Sequence, residues 1–176
     1  MSKINKLFIF SLPILYVLGG ISHFVYEWTG NNVIIGLLFP VNESIYEHTK
    51  LAIVPLLIFY IFGLRNKPNV SKWIFSFLIS LLTTIILIPM LYYFYTGSFG
   101  FESLIIDILI YFISITCGQL LALHIYNRTS KYPRIQLTTI LLITYFVINV
   151  IFTLDPPHLP MFIDPVNNTY GINKKI

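Results

Sequence analysis

Charged side chains are scarce in this sequence, since Asp, Glu, Lys and Arg together make up only 10% of its 176 residues. Soluble domains carry roughly 25% charged residues, so the composition excludes an ordinary soluble protein. Apolar residues make up 56% of the chain, and the mean hydropathy is +0.79. The sequence therefore predicts an integral membrane protein.

Cysteine is nearly absent as well, and so are repeats, low-complexity tracts and flexible linkers. The single cysteine, Cys117, excludes an intrachain disulfide. The first apolar run has no small-residue cleavage site before His23 and Glu27, so we predict a membrane span rather than a cleaved signal peptide. Without a linker, residues 1–176 form a single predicted domain.

Long apolar runs recur along the chain, and each approaches or exceeds the roughly 20 residues needed to cross a bilayer. They predict an all-α bundle of five transmembrane helices. Residues 33–40 are apolar but too short to span, so we predict a re-entrant or interfacial segment there. The predicted spans are residues 7–27, 42–64, 73–96, 102–127 and 135–154, and residues 155–176 form a tail outside the membrane.

Acidic residues are missing from every loop that is rich in basic ones. Basic residues in short loops mark the cytoplasmic side of a membrane protein, so we predict a cytoplasmic N-terminus and an extracytoplasmic C-terminus. The net charge of +4 lies in these loops, which favours the lipid bilayer as partner and argues against nucleic acid. The basic residues concerned are Lys3, Lys6, Arg65, Lys67, Lys72, Arg128, Lys131 and Arg134.

The stretch FPVNESIYEHTK, residues 39–50, is unusually polar for this chain. The apolar part of the second span, residues 51–64, covers only roughly 21 Å of a hydrocarbon core about 30 Å thick. Glu47, His48 and Lys50 must therefore lie below the headgroups, where ionisable groups face a bundle interior or a wet cavity. We predict a buried polar pocket that opens outward, with Asn42 as the helix N-cap.

Three histidines on the predicted outer side are candidate ligands for a divalent metal such as zinc: His23, His48 and His158. A catalytic zinc needs three protein ligands, an open position and a nearby base. Glu27 or Glu47 could serve as the base, and Asp107 lies one turn inside the fourth span. The other predicted pocket residues are Asn42, Glu43, Lys50, Asp155, Asp164 and Tyr170.

Three functions remain open for this pocket. The first is an enzyme, with or without a metal, that acts on a lipid or a lipid-linked substrate. The second is a carrier that uses Glu47 and Asp107 as protonatable sites, and a cavity reaching past Gln119 and His124 would favour it. The third is a structural protein without a ligand, in which Lys50 is the counter-charge of Glu47 or Glu43 and makes a metal unnecessary.

Two polar motifs carry a family resemblance. The segments VNESIYEHTK and PPHLPMFIDPVNNTYG resemble the patterns VNESxxEHxK and PPHxPxFxDPxxxxYG of a family of small bacterial multi-pass membrane proteins of unknown function. The similarity extends over nearly the whole chain and implies a bacterial plasma-membrane protein. There is also a looser similarity to alkaline-ceramidase-like membrane hydrolases, helical bundles that hold an intramembrane zinc with histidines and an aspartate.

Overall fold

The computed structural model describes residues 2–172 and the backbone of residues 174 and 175, and the regular secondary structure of this part is helical except for one small sheet. The helices are α1 (Lys3–Ser22), α2 (Val25–Trp28), α3 (Val33–Gly36), α4 (Ile45–Thr49), α5 (Ile53–Gly63), α6 (Val70–Phe99), α7 (Leu104–Arg128) and α8 (Ile135–Leu154). Single turns of 3₁₀-helix continue α4 into α5 at residues 50–52 and extend α5 at residues 64–66. The strands are β1 (Ile163–Asp164), β2 (Thr169–Tyr170) and β3 (Lys174–Lys175).

Five helical segments of the described chain are long and apolar enough to cross a membrane. They are α1, the continuous segment Ile45–Asn66, α6, α7 and α8. This confirms the predicted number of apolar helices and the all-α class. The segment 33–40 contains only the single turn α3, which Asn32 caps by accepting hydrogen bonds from the N–H groups of Ile34 and Ile35. Its re-entrant path and the orientation of the chain stay predictions.

The helices run alternately in opposite directions, so the bundle has two distinct ends. Asn5 and Asn127 are hydrogen-bonded at one end, and Asn42 reaches the backbone of Gly171 at the other. We name the first the basic end, made of residues 2–6, 65–72 and 128–134. The second is the tail end, made of residues 23–44, 100–103 and 155–172.

The N-cap of the second span lies two residues later than the sequence predicted. Ser44, and not Asn42, is the N-cap of α4, and its hydroxyl accepts a hydrogen bond from the N–H of Glu47. The Asn42 side chain accepts from the N–H of Ser44 and donates to the carbonyl of Gly171. Asn42 therefore fixes the loop before α4 and connects it to the tail, while Glu43 stays outside the helix.

The tail folds back onto the tail end of the bundle. Its prolines prevent a continuous helix, and the chain instead forms a 3₁₀ turn at residues 160–162 followed by antiparallel pairing of β1 with β2. The buried Phe162 ring packs on Tyr46 and Phe152, with centroid separations of 4.6 and 5.2 Å. These aromatic contacts anchor the tail above α4 and α8.

A close approach between α1 and α7 sets the position of the loop that follows α1. The hydroxyl of Tyr111 donates to the carbonyl of Leu15 at 2.9 Å. A Cβ atom added at Gly19 would lie 1.8 Å from that hydroxyl, whereas one added at Gly20 would meet nothing within 4 Å. The fold therefore requires glycine at position 19 but not at its neighbour.

We expect Gly19→Ala to destabilise the protein by about 1–3 kcal/mol, because the added methyl group must push Tyr111 away from α1. The matched control is Gly20→Ala in the same helix, which should be neutral or stabilising by up to about 1 kcal/mol because alanine favours a helix over glycine. Thermal unfolding in detergent measures both. Equal effects of the two substitutions would contradict the close approach.

Candidate functional site

Two histidines and a glutamate meet at the tail end, and we name them the His–Glu cluster: His23, Glu43 and His48. The Oε2 atom of Glu43 lies 3.4 Å from Nε2 of His23 and 3.5 Å from Nε2 of His48. One ligand atom from each residue falls within 4.8 Å of the others. The cluster joins three places in the chain, namely the end of α1, the loop before α4 and the second turn of α4.

The ring of His48 is oriented by the backbone. Its Nδ1 atom lies 2.9 Å from the carbonyl oxygen of Ser44. Because a carbonyl oxygen only accepts hydrogen bonds, Nδ1 carries the proton, which leaves Nε2 to face Glu43. A backbone carbonyl that holds the second ring nitrogen is also the usual support of a metal-binding histidine. The Nε2 atom of His48 is therefore oriented to coordinate a cation.

The cluster is electrostatically asymmetric. The hydrogen bond from His23 lowers the pKa of Glu43 against the opposing effect of burial, and the same bond raises the pKa of His23. The negative charge of Glu27 adds to the rise for His23. Without a metal, Glu43 is thus ionised beside a histidine that tends to keep its proton. A divalent cation that binds here must displace that proton, since only neutral imidazole is a ligand.

A cavity of about 330 Å³ opens beside the cluster. Glu43 and His48 line it, together with Glu102 and Asp107 from the start of α7 and the preceding loop. We name it the acidic cavity. Apolar side chains of α6 and α7 form much of its surface, and the tail contributes Val166. The cavity thus combines three carboxylates and a histidine with apolar walls.

Tyrosines of α6 hold the two carboxylates that face the cavity. The hydroxyl of Tyr92 donates to Oε1 of Glu102, and that of the buried Tyr95 donates to Oδ1 of Asp107, both at 2.7 Å. The sequence showed these tyrosines only as part of an aromatic run, residues 91–101, typical of an interfacial belt. Nothing in that run indicated that Glu102 and Asp107 are the partners of these two tyrosines.

A buried ion pair lies next to the cluster and not within it. Lys50 Nζ is 2.7 Å from Glu47 Oε2, and the two residues are 0% and 1% exposed. Lys50 also donates to Thr153 Oγ1 and to the carbonyl of Gly36, while Glu47 Oε2 accepts from the N–H of Val41. Both charges are therefore used to attach the segment before α4 to the helices.

The attachment of that segment continues along α8. Asn149 donates to the carbonyl of Leu37 at 2.7 Å and accepts a hydrogen bond from the hydroxyl of Tyr46. Thr153, one turn further along α8, contacts Lys50. Thr153 was not among the residues predicted from the sequence. The signal was its i,i+4 spacing from Asn149, which places both on one face of a helix.

Two predicted ligands or bases lie apart from the His–Glu cluster. His158 is exposed and stacks on Tyr170, with ring centroids 4.6 Å apart and planes 6° from parallel. Glu27 is exposed on α2 and acts on His23 through its charge. The structure thus brings together His23 and His48 of the predicted metal ligands, and Glu43 occupies the place expected for His158.

The two acids of the tail have local structural partners. Asp164 is buried, and its carboxylate accepts hydrogen bonds from the N–H of Val166 and the side chain of Asn167. It therefore holds the turn between β1 and β2. Asp155 is the residue at which α8 ends. Neither of them lines the acidic cavity.

The residues that would mark a path to the basic end are placed elsewhere. Gln119 is buried and accepts hydrogen bonds from Tyr60 and Ser80. His124 is exposed on the surface of α7. Neither lines the acidic cavity, whose lining on α7 extends only from Leu104 to Tyr111. The hydrogen bonds of Gln119 instead hold α5, α6 and α7 together.

The five helices that are long and apolar enough to cross a membrane indicate a multi-pass helical membrane protein. The chain belongs to a family of unknown function, DUF6512, whose family model matches residues 1–172. This confirms the resemblance to a family of unknown function over nearly the whole chain. No curated protein and no solved structure matches the chain.

Proposed function

We propose that this protein is a metal-dependent membrane hydrolase that binds one divalent ion, such as zinc, through His23, Glu43 and His48. Its substrate is a lipid or a lipid-linked molecule with an ester or amide bond. The observation that carries the proposal is the convergence of three ligand atoms within 4.8 Å beside a cavity. Two imidazoles and one carboxylate are a set of three protein ligands used by zinc hydrolases.

The acidic cavity supplies what a catalytic metal needs besides its ligands. A hydrolytic zinc site keeps one position open for water or substrate, and Glu43 and His48 both line the cavity. A divalent ion bound there would lower the pKa of a water molecule and polarise the substrate carbonyl. Asp107 lines the same cavity.

Asp107 is the proposed general base. Its carboxylate, oriented by Tyr95, accepts the proton of the attacking water. The water oxygen forms a bond to the carbonyl carbon of the substrate, and the bond from that carbon to the leaving oxygen or nitrogen breaks. Asp107 then returns the proton to the leaving group, so one water is consumed for each bond cleaved.

The walls of the cavity favour a neutral amphipathic substrate. Ile45, Leu51 and Ile88 provide apolar surface next to the cluster, which suits a lipid chain. Glu102 and Asp107 repel an anionic phosphate group, because like charges that face each other in a partly desolvated site are unfavourable. This charge pattern supports an uncharged ester or amide over a phosphodiester.

We further propose that the tail end faces outward from a bacterial plasma membrane. The basic end carries the positively charged short loops that mark a cytoplasmic side. In a variant whose Cys117 is replaced by alanine, Val166→Cys should react with an impermeant maleimide on intact cells. Ser130→Cys at the basic end should react only after permeabilisation. The reverse pattern would overturn the orientation.

The central test of the metal site is elemental analysis of protein purified without chelators. We expect about one divalent ion per chain. His48→Ala should weaken metal binding by more than about 100-fold. Replacing a residue that only supports a metal ligand already lowers the metal affinity by about 10–100-fold, and His48 is itself a proposed ligand. His158→Ala is the matched control and should keep the metal, since this histidine stacks on Tyr170.

The metal proposal fails if wild-type protein incubated with zinc and then desalted retains no stoichiometric ion. It also fails if His158→Ala loses as much metal as His48→Ala. In either case Lys50 and the two histidines would balance the carboxylates of the tail end without a cation.

A further inference from the structure

A second and more apolar cavity lies at the opposite end of the bundle, between α1 and α5. Its volume of about 540 Å³ falls within the range of about 300–1,000 Å³ typical of ligand sites. We name it the basic groove, because Lys3 and Lys6 belong to its lining. It shares no residue with the acidic cavity.

The groove follows one face of each helix. On α1 its residues recur every three or four positions, which is the spacing of a single helical face. From Lys3 to Leu18 the face extends roughly 22 Å, so it reaches from the membrane surface past the middle of a hydrocarbon core about 30 Å thick. The residues of this face on α1 are Lys3, Lys6, Leu7, Phe10, Ser11, Ile14, Leu15 and Leu18.

The small side chain of Ser11 leaves space in the groove, and aromatic side chains form its wall. Ser11 lines the groove, and its hydroxyl is satisfied by the carbonyl of Phe8 at 2.7 Å. Phe59 also lines it and packs edge-on against the buried Phe8, with ring centroids 5.3 Å apart. Behind the opening there is thus a rigid aromatic wall, while Ile58 and Phe62 on α5 remain partly exposed at the opening.

Positive charge is concentrated where the groove meets the membrane surface. Lys3 and Lys6 are exposed, and the guanidinium of Arg65 lies 4.8 Å from the ring centroid of Phe62. All seven acidic residues of the chain lie in the described part, at the tail end or in the adjoining turns of the helices. These three cations therefore have no acidic counter-charge at their own end of the bundle.

We propose that the basic groove binds one anionic phospholipid, with an acyl chain between α1 and α5 and the phosphate at Lys3, Lys6 and Arg65. The apolar part begins directly beneath the cations, as the chains of a lipid begin beneath its headgroup. Basic pockets between membrane helices recognise anionic headgroups through this combination. A zwitterionic lipid fills the same groove but leaves the positive charge uncompensated.

Native mass spectrometry of the detergent-purified protein tests this site. Delipidated protein is mixed with either phosphatidylglycerol or phosphatidylcholine carrying identical chains, and the bound lipids are counted. We expect one retained phosphatidylglycerol per chain, preferred over phosphatidylcholine by about tenfold or more. The double substitution Lys3→Gln and Lys6→Gln should weaken phosphatidylglycerol binding by about tenfold.

Two further variants separate the groove from general surface charge. Lys131→Gln with Arg134→Gln removes the same charge at the basic end, away from the groove, and should leave binding unchanged. Ser11→Leu fills the groove without changing the charge and should reduce retention of both lipids. Equal binding of the two lipids, or equal losses in the two charge variants, would overturn the proposal. So would a stable dimer that excludes the lipid, because a second copy would then occupy the groove.

Discussion

Replacing Lys50 with methionine should destabilise the protein by about 3–5 kcal/mol, the cost of leaving one member of a buried ion pair without its partner. The effect is expected to be this large because both residues are fully inside, at 0% and 1% exposure. Glu47 Oε1 already has no hydrogen-bond partner within the described residues. Without Lys50, the carboxylate keeps only the N–H of Val41.

A double substitution shows whether the unpaired charge or the lost contacts cause the destabilisation. Glu47→Gln combined with Lys50→Met removes both charges and keeps an amide oxygen to accept from Val41. This double variant should be more stable than Lys50→Met alone, because removing both charges of a buried pair is far less costly than removing one. Lys67→Met, at an exposed position of the basic end, is the control for the loss of a lysine.

Unfolding in detergent, followed by temperature or by denaturant, measures these free energies. If Lys50→Met were as stable as Lys67→Met, the ion pair would not hold the bundle together. If the double variant were no more stable than Lys50→Met, the lost hydrogen bonds to Gly36 and Thr153 would matter more than the charges. The pair is expected to act on the site indirectly, because it attaches the segment that leads into Glu43.

The sequence was informative about this protein wherever a single helix decides the outcome. The number of apolar helices follows from runs longer than a bilayer core, and the five helices of the structure agree with it. The polar start of the second span drew attention because residues 51–64 are too few to cross. In the structure Glu47 and Lys50 are buried there, and they form the i,i+3 pair that helical spacing allows.

The composition of the His–Glu cluster could not be derived from helical spacing. Spacing associates His23 with Glu27, and Glu43 with Glu47, as i,i+4 neighbours on one helical face. In the structure α1 ends at Ser22 and α4 begins only at Ile45. Glu43 therefore lies in a loop, where its side chain is free of a helical face and turns toward His23 and His48.

The tail shows the same limit of local reasoning. Its four prolines predict the absence of helix, but they do not determine which polar side chain points inward. That outcome depends on the aromatic packing of Phe162 on Tyr46 and Phe152. It also depends on the stacking of His158 on Tyr170, which holds His158 outside the cluster. The contact of Phe162 with Tyr46 joins residues more than 100 positions apart in the chain, where helical periodicity carries no information.

The acidic cavity and the buried ion pair divide the polar residues of the tail end into two groups. Glu47, Lys50, Asn149 and Thr153 bond to one another or to the backbone of residues 36–41, so they stabilise the fold. Glu43, His48, Glu102 and Asp107 face a cavity instead. The hydrolase proposal assigns chemistry only to the second group and to His23, and this division makes the roles of individual carboxylates testable.

Asp107→Asn should lower hydrolytic turnover by about 10²–10⁴-fold, the range expected when a general base is removed. Asparagine keeps the size of the side chain and an oxygen that accepts from Tyr95, so the cavity is expected to keep its shape. The metal ligands His23, Glu43 and His48 are unchanged, and the bound ion should therefore remain. The measurement is cleavage of a 4-nitrophenyl ester of a long-chain fatty acid by zinc-loaded protein in mixed micelles, with metal content determined on the same samples.

Glu102→Gln is the matched control. Like Asp107, Glu102 lines the cavity and accepts a hydrogen bond from a tyrosine of α6. Glu102 is exposed at the cavity entrance, so its loss should change turnover only a few-fold. Similar losses in both variants would mean that the negative charge of the cavity matters and that neither residue is the base. Loss of the metal in Asp107→Asn would make Asp107 a ligand. Full activity in Asp107→Asn would eliminate Asp107 from the mechanism and leave Glu27, whose negative charge also acts on His23, as the candidate base.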